Sequence, residues 1–251
     1  MSSKRKLDIC FTPELMHLFD LANKKIVVID VFRATSAICV FLNNGGTKVI
    51  PVSTIDEAIY FKQRLNKQLD NYIFAAERNG HIAPGFEFGN SPLSYDNKNL
   101  NNKSLIITTT NGTKAIEMSK NNNKGLILAS FLNLTSVVNY LLNSDNSDIL
   151  LVCSGWKGRE CIEDILLAGL ISQKLDDNYS FSITSDSVLI SKLLYKDASQ
   201  NLFNYILNSS YMKRLNLKED IKYCLQQDTM QVVPIWHEDD INSQPYFSGL
   251  F

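Results

Sequence analysis

Short runs of Val, Ile and Leu recur along the first two thirds of the chain, and each is followed by a stretch whose apolar residues return every three to four positions. The runs cover residues 26–30, 48–52, 72–76, 105–109, 125–130 and 149–153. They carry no polar alternate face, which is what a parallel strand covered on both sides requires. Between them, residues 35–42, 55–66, 113–119, 135–142 and 162–175 keep helical spacing. The second of these opens with Thr54-Ile55-Asp56-Glu57, a capping box whose hydroxyl and carboxylate serve orphan backbone amides. Strand and helix in alternation predict an α/β fold with three layers, α/β/α, mostly parallel sheets and right-handed crossovers. A constant offset of 78 lays residues 26–38 and 48–52 over 106–116 and 125–130, with Ile38 on Ile116 and Val49 on Ile127. The chain thus reads either as two duplicated βαβ halves or as two ordinary units of the same kind. In either case the halves are taken as 1–104 and 105–251, with an active site between them. Beyond Cys153 the patterning weakens, leaving helices at 187–195 and 218–226, a late strand at 230–235, and chain ends with little recognisable chemistry.

Composition narrows the function classes. The 251 residues are 45% hydrophobic, enough to fill a sizeable core. Lys plus Arg number 25 against 26 Asp plus Glu, a net charge of −1, and no basic stripe occurs, which argues against nucleic acid as a partner. The Asn- and Lys-rich stretches 97–103 and 121–124 read as solvated connections. Five cysteines without a CxxC pair fit reduced thiols better than a disulfide framework. The start MSSKRKLDICF has no apolar run behind it, and no stretch approaches the ~18–20 apolar residues of a membrane span. A soluble, cytoplasmic protein is expected, with no membrane partner.

In parallel α/β folds, ligands bind beyond the carboxyl ends of strands, against the N-termini of the helices that follow. The unusual residues collect at those junctions. Asp30 ends the first run and Arg33 begins the next turn, where its fork suits a phosphate oxygen pair or an internal ion pair with Asp30. A phospho-aspartate nucleophile at Asp30 is disfavoured, because the second acid expected two residues later is Phe32. Thr108-Thr109-Thr110-Asn111-Gly112-Thr113 opens another helix with short donors and backbone amides for an oxyanion, or simply caps it. Glu77 ends a third strand beside Arg78, followed by a long Gly- and Pro-bearing loop to Pro92 that contains His81, a candidate general acid. Gly155, Lys157, Gly158 and Arg159 form a basic loop before a helix with Glu163 and Asp164 in its first turn, where the helix dipole favours acids in any case. Neither a zinc pattern nor a Ser/His/Asp order can be assembled from the residues present. Carboxylates with arginines at strand ends suit Mg²⁺ and phosphoryl chemistry.

The segments IDVFRATSAI, AERNGHIAPGFEFGNSP, TTTNGTKAI and CSGWKGRECIEDILLAG, in that order and spacing, resemble the motifs of the 2-phosphosulfolactate phosphatases, with weaker similarity at Cys224-Leu225 and Val233-Pro234. The resemblance implies a Mg²⁺-dependent hydrolase converting 2-phospho-3-sulfolactate to sulfolactate and phosphate, a step of coenzyme M biosynthesis, on an α/β fold. It carries over to Asp30, Arg33, Glu77, Arg78, Gly80, Asn90, Ser91, Asn111, Gly112, Thr113, Gly155, Gly158, Glu163 and Asp164. Asn79 stands where a second glycine is expected, and Glu87 where Asp is usual. The working assignment places Asp30, Glu77, Glu163 and Asp164 at the metal, with Asp30, Glu77 and Asp164 catalytic. Arg33, Asn90, Ser91, Asn111, Gly112 and Thr113 are assigned to the phosphate, and Arg78, Lys157 and Arg159 to the remaining anionic groups. Two alternatives stay open, a phosphatase for another small C3 phospho-acid and a non-catalytic binder of an anionic metabolite. A homo-oligomer is also compatible with the sequence.

Overall fold

In the computed structural model, residues 4–178, 181–183, 185–238 and 244–251 are described. The strands are β1 (Arg5–Cys10), β2 (Lys24–Ile29), β3 (Lys48–Pro51), β4 (Tyr72–Arg78), β5 (His81–Ile82), β6 (Ser104–Thr108), β7 (Leu126–Ala129), β8 (Asp148–Cys153), β9 (Phe181–Ile183), β10 (Val233–His237) and β11 (Tyr246–Leu250). The helices are α1 (Ala34–Asn43), α2 (Ile55–Leu65), α3 (Gly112–Ser119), α4 (Leu134–Asn143), α5 (Ile162–Asp176), α6 (Asp186–Ala198), α7 (Leu202–Ile206), α8 (Ser210–Leu215) and α9 (Lys218–Cys224).

All described strands join one sheet in the order β5-β4-β6-β3-β11-β10-β7-β2-β8-β1-β9. Two parallel blocks, β4-β6-β3 and β7-β2-β8-β1-β9, are stitched together by the antiparallel pair β10–β11. Successive residues of the central strands are buried on opposite faces. Ile26, Val28, Leu126, Leu128, Leu150 and Val152 pack with α1 and α3 on one side, while Val27, Ile29, Ile127, Ala129, Ile149 and Leu151 pack with α4 and α5 on the other. Helices on both faces of a mostly parallel sheet make the predicted three-layer α/β arrangement, and the continuous apolar runs are its cause. Each such side chain contributes about 1.5–3 kcal/mol on burial.

The ladder registers reproduce the offset of 78. Ile26 pairs with Leu126 and Ile29 with Ala129. Moving the first partner up by 78 and the second down by 78 gives Ser104 with Lys48 and Ile107 with Pro51, which are the observed β6–β3 pairs. The same shift turns Val27 with Leu151 into Leu105 with Ile73, again as observed. The unit β2-α1-β3-α2-β4 is therefore repeated as β6-α3-β7-α4-β8, related by a twofold operation through the middle of the sheet. Strands from 1–104 and 105–251 consequently interleave in one sheet.

Several elements lay outside the sequence reading. β1 alternates polar and apolar residues, and its Arg5 is buried with its guanidinium on the carbonyls of Ser147 and Leu141 at 2.7 Å each. β5, β9, β11, α7 and α8 were likewise not expected, and the late strand starts at Val233. At the start of α2, Thr54 Oγ1 accepts from the Glu57 amide at 3.0 Å, whereas the Glu57 carboxylate accepts from Ser53 N at 2.9 Å, one residue earlier than a capping box places it.

The two units touch at equivalent positions. Ala34 and Gly112, separated by the offset of 78, face each other so closely that a Cβ on Gly112 would lie 2.6 Å from the Ala34 Cβ and 2.7 Å from Asp30 Oδ2. Gly112→Ala is therefore expected to overpack this contact, destabilising the protein by about 1–3 kcal/mol in denaturant unfolding. An unchanged midpoint would show that the two turns have room to separate.

Candidate active site

Asp30 follows β2, and its carboxylate turns back onto its own helix start. Oδ1 accepts from the Ala34 amide at 3.1 Å, while the Thr35 hydroxyl accepts from Asp30 N and donates to Asp30 O. Asp164, in the first turn of α5, joins two loops: Oδ1 accepts from Val31 N at 2.8 Å and Oδ2 from Gly155 N at 3.1 Å. Glu163 precedes it and is equally buried. Glu77, near the end of β4, accepts from Gly80 N, Thr110 N and the Thr110 hydroxyl, and so ties the β4–β5 turn to the loop before α3.

Asp30, Glu77, Glu163 and Asp164 line one narrow cleft, together with Arg33, Asn90 and Asn111. It receives residues from both 1–104 and 105–251. Its floor includes the N-cap positions of three helices: Arg33 before α1, Asn111 before α3 and Cys161 before α5. The three N-cap side chains cap no backbone amide of their own helices; the Asp30 carboxylate takes the Ala34 amide of α1 and the Thr109 hydroxyl the Thr113 amide of α3, and all three positive helix ends adjoin the cleft.

The electrostatics are those of crowded acids. Burial pushes the Asp30 carboxyl up to about 6, with nearby Glu77 adding to the shift. Burial and then Asp30 push Glu163 up to about 7. Asp164 is raised well above the carboxylate range by burial, Asp30 and Glu163. Among the described residues, no three His, Cys, Asp or Glu side chains form a ready-made metal cage.

The other expected residues are placed as follows. Arg33 is buried, with Nη1 on Asp220 Oδ2 at 2.9 Å and Nη2 on Gly80 O at 2.8 Å, so its partner is Asp220 rather than Asp30. Ser91 donates to the other oxygen of Asp220 and does not line the cleft. Arg78 is spent on Glu77 O and the Thr108 hydroxyl. Thr113 exchanges hydrogen bonds with Thr109 in the helix start. Lys157 and Arg159 are exposed and outside the cleft lining; Lys157 N donates to Asn111 Oδ1 at 3.0 Å and Nζ to Asn79 Oδ1 at 3.2 Å. His81 lies on β5, exposed and away from the cleft.

Asp220, Tyr211 and Arg214 had no part in the sequence reading, yet the last two line the cleft and the first holds Arg33. They sit on α8 and α9, where the hydrophobic pattern is weak. The one available signal was the similarity around Cys224. All five cysteines are buried and free. No helix among the described residues is long and apolar enough to cross a membrane.

Three helix N-termini and the buried Arg33 guanidinium stand beside acids of raised proton affinity, an arrangement that suits a small phosphorylated anion. The family model for 2-phosphosulpholactate phosphatase matches residues 10–239. A protein of Thermotoga maritima named "Probable 2-phosphosulfolactate phosphatase" is 40% identical over 211 residues, covering 83% of this chain and 87% of its own. Similarly named proteins of Caldanaerobacter subterraneus and Clostridium beijerinckii are 38% and 33% identical, covering 86% and 95% of this chain and 88% and 100% of their own. The chain belongs to the 2-phosphosulfolactate phosphatase family and is by class a phosphatase.

The raised acids make stability depend on pH. A carboxyl whose folded pKa exceeds its unfolded value holds its proton longer in the folded state, so stability is greatest below the unfolded value and falls as pH rises through the folded one. The window runs from about 4, the unfolded value, to about 7. In EDTA, the melting temperature is expected to fall over this window, and Glu163→Gln to flatten the decline; calorimetry showing stability rising there would contradict the placement of these acids.

Proposed function

We propose that the protein hydrolyses 2-phospho-3-sulfolactate to 3-sulfolactate and phosphate, with Mg²⁺ as its resident ion. The observation that carries this reading is the gathering of Asp30, Glu163 and Asp164 in a cleft that also collects three helix N-termini. An anion binder has no use for buried acids that repel its ligand and one another; a metal-assisted phosphatase needs both. The named relatives support the substrate.

The donor set fits a hard cation. Asp30, Glu163 and Asp164 offer carboxylate oxygens, whose proton affinity is raised by burial first and by neighbouring carboxylates second, so a cation would relieve both. Both oxygens of Glu77 already accept from Gly80 and Thr110, as both of Asp164 accept from Val31 and Gly155, so these two bring only their remaining lone pairs to a cation. Mg²⁺ commonly uses few protein carboxylates and completes its shell with water and substrate phosphate, so a full protein cage is not required. When bound, it supplies charge neutralisation at the phosphoryl oxygens.

The chain's own residues do the rest. Backbone amides in the first turns of α1, α3 and α5 that neither Asp30 nor Thr109 occupies receive phosphoryl oxygens, as helix N-termini do. Arg33 uses two of its donors on Asp220 and Gly80, which fixes its plane and leaves its others for the phosphate. A water entering beside the acids gives its proton to one of these carboxylates as it attacks phosphorus.

Phosphate release from 2-phospho-3-sulfolactate is expected with Mg²⁺ and not with EDTA, and faster than from phosphoglycerate or phospholactate. Asp30→Asn is expected to lower turnover by about 10²-fold or more, with thermal stability equal or higher because a repelled charge is removed. An unchanged rate in that variant removes Asp30 from the chemistry. Release from the control esters alone moves the substrate to another C3 phospho-acid.

A further inference from the structure

The duplicated units supply one wall of the cleft, and α8 supplies another. Tyr211 and Arg214, one helical turn apart, both line it. Tyr211 is 4% exposed, its ring lies 4.9 Å from that of Phe32, and its hydroxyl is buried without a partner. Burial holds the phenol well above its ordinary pKa, so it is a neutral donor throughout the working range. Arg214 stacks on Trp156 at 3.9 Å from the ring centroid, and Nη1 donates to Ser210 Oγ at 2.9 Å. Unlike Arg33, it has no carboxylate within ion-pair distance among the described residues. Asn90, 6% exposed, also lines the cleft with Oδ1 unpartnered.

Buried polar atoms in folded proteins nearly always find partners. Two orphans and an unpaired guanidinium around one cleft therefore describe contacts that a ligand completes. Arg78, Lys157 and Arg159 do not line this cleft.

We propose that Tyr211 and Arg214, with Asn90, form the recognition subsite for the non-reacting acid group of the substrate, a carboxylate or sulfonate. This deepens the phosphatase reading and rests on it for the identity of the ligand. The guanidinium presents several donors to a flat or tetrahedral oxyanion, the phenol adds one, and Trp156 holds the guanidinium plane in place. Asn90 Oδ1 accepts a hydrogen bond from the hydroxyl of the alcohol that hydrolysis releases. Specificity is thereby placed on α8, apart from the acids that handle the phosphoryl group.

The test is calorimetric titration of wild-type protein, Arg214→Gln and Tyr211→Phe, in Mg²⁺ buffer, with 3-sulfolactate and separately with inorganic phosphate. Losing a hydrogen bond to a charged group is expected to weaken 3-sulfolactate by about 10-fold or more in Arg214→Gln and by about 3–10-fold in Tyr211→Phe. Phosphate affinity stays within about twofold of wild type in both, which also reports an intact fold. The subsite is overturned if wild-type protein fails to bind 3-sulfolactate, if neither variant weakens it, or if phosphate is weakened as much. Turnover does not enter this readout. A protein that shows the binding pattern but releases no phosphate from any ester would sink the phosphatase reading and keep the subsite.

Discussion

Asp30, Glu163 and Asp164 are buried together, and burial raises the proton affinity of all three, with Asp30 adding to the shift of Glu163 and both adding to that of Asp164. The protein tolerates this because the same carboxylates hold its loops. Asp164 bridges the amides of Val31 and Gly155, so removing its charge would also release the turns after β2 and β8. Glu77 does the equivalent for Gly80 and Thr110. A buried acceptor bound by backbone amides is worth keeping in place even at an electrostatic cost. The resulting surplus of negative charge is what suits the cleft to a cation, and the helix ends and Arg33 are what allow an anionic ester to approach it.

Duplication explains how such a site could be assembled. Under the offset of 78, Asp30 corresponds to Thr108, Arg33 to Asn111, Ala34 to Gly112 and Glu77 to Gly155. Arg33 and Asn111 hold the same structural position, the N-cap of the helix that follows the strand. One copy keeps the charged residue and the other a small or neutral one, so the two turns can pack against each other without doubling the charge. Ala34 against Gly112 sets how near they come. The symmetric frame thus encloses an asymmetric site.

The C-terminal helices break the symmetry. Asp220 on α9 takes Arg33, and Tyr211 and Arg214 on α8 close the cleft over Phe32 and Trp156. Because this segment lies outside the repeat, its residues can vary without disturbing the strand-end acids. A division between chemistry on the sheet and recognition on an added helix is common where loops and helices at strand ends carry function.

Six strands and five helices in residues 26–175 were legible because their burial on both faces is written as local hydrophobic period, which needs no knowledge of partners. The strand-end positions of Asp30 and Glu77 and the helix-start positions of Glu163 and Asp164 followed from the same pattern. The offset of 78 could be noticed in the sequence, but only the ladder pairs distinguished a duplication from two similar units. β1, β9 and β11 were not legible, since short or alternating segments at a sheet's periphery are decided by what they pair with. Nor could the sequence assign partners: Arg33 read either as a phosphate fork or as the ion-pair partner of Asp30, whereas the carboxylate it meets is Asp220, 187 residues away. Sequence fixes which residues prefer burial and where a backbone turns. Which charges meet across the fold depends on long-range packing, and only the tertiary structure decided that α8 and α9 complete the cleft.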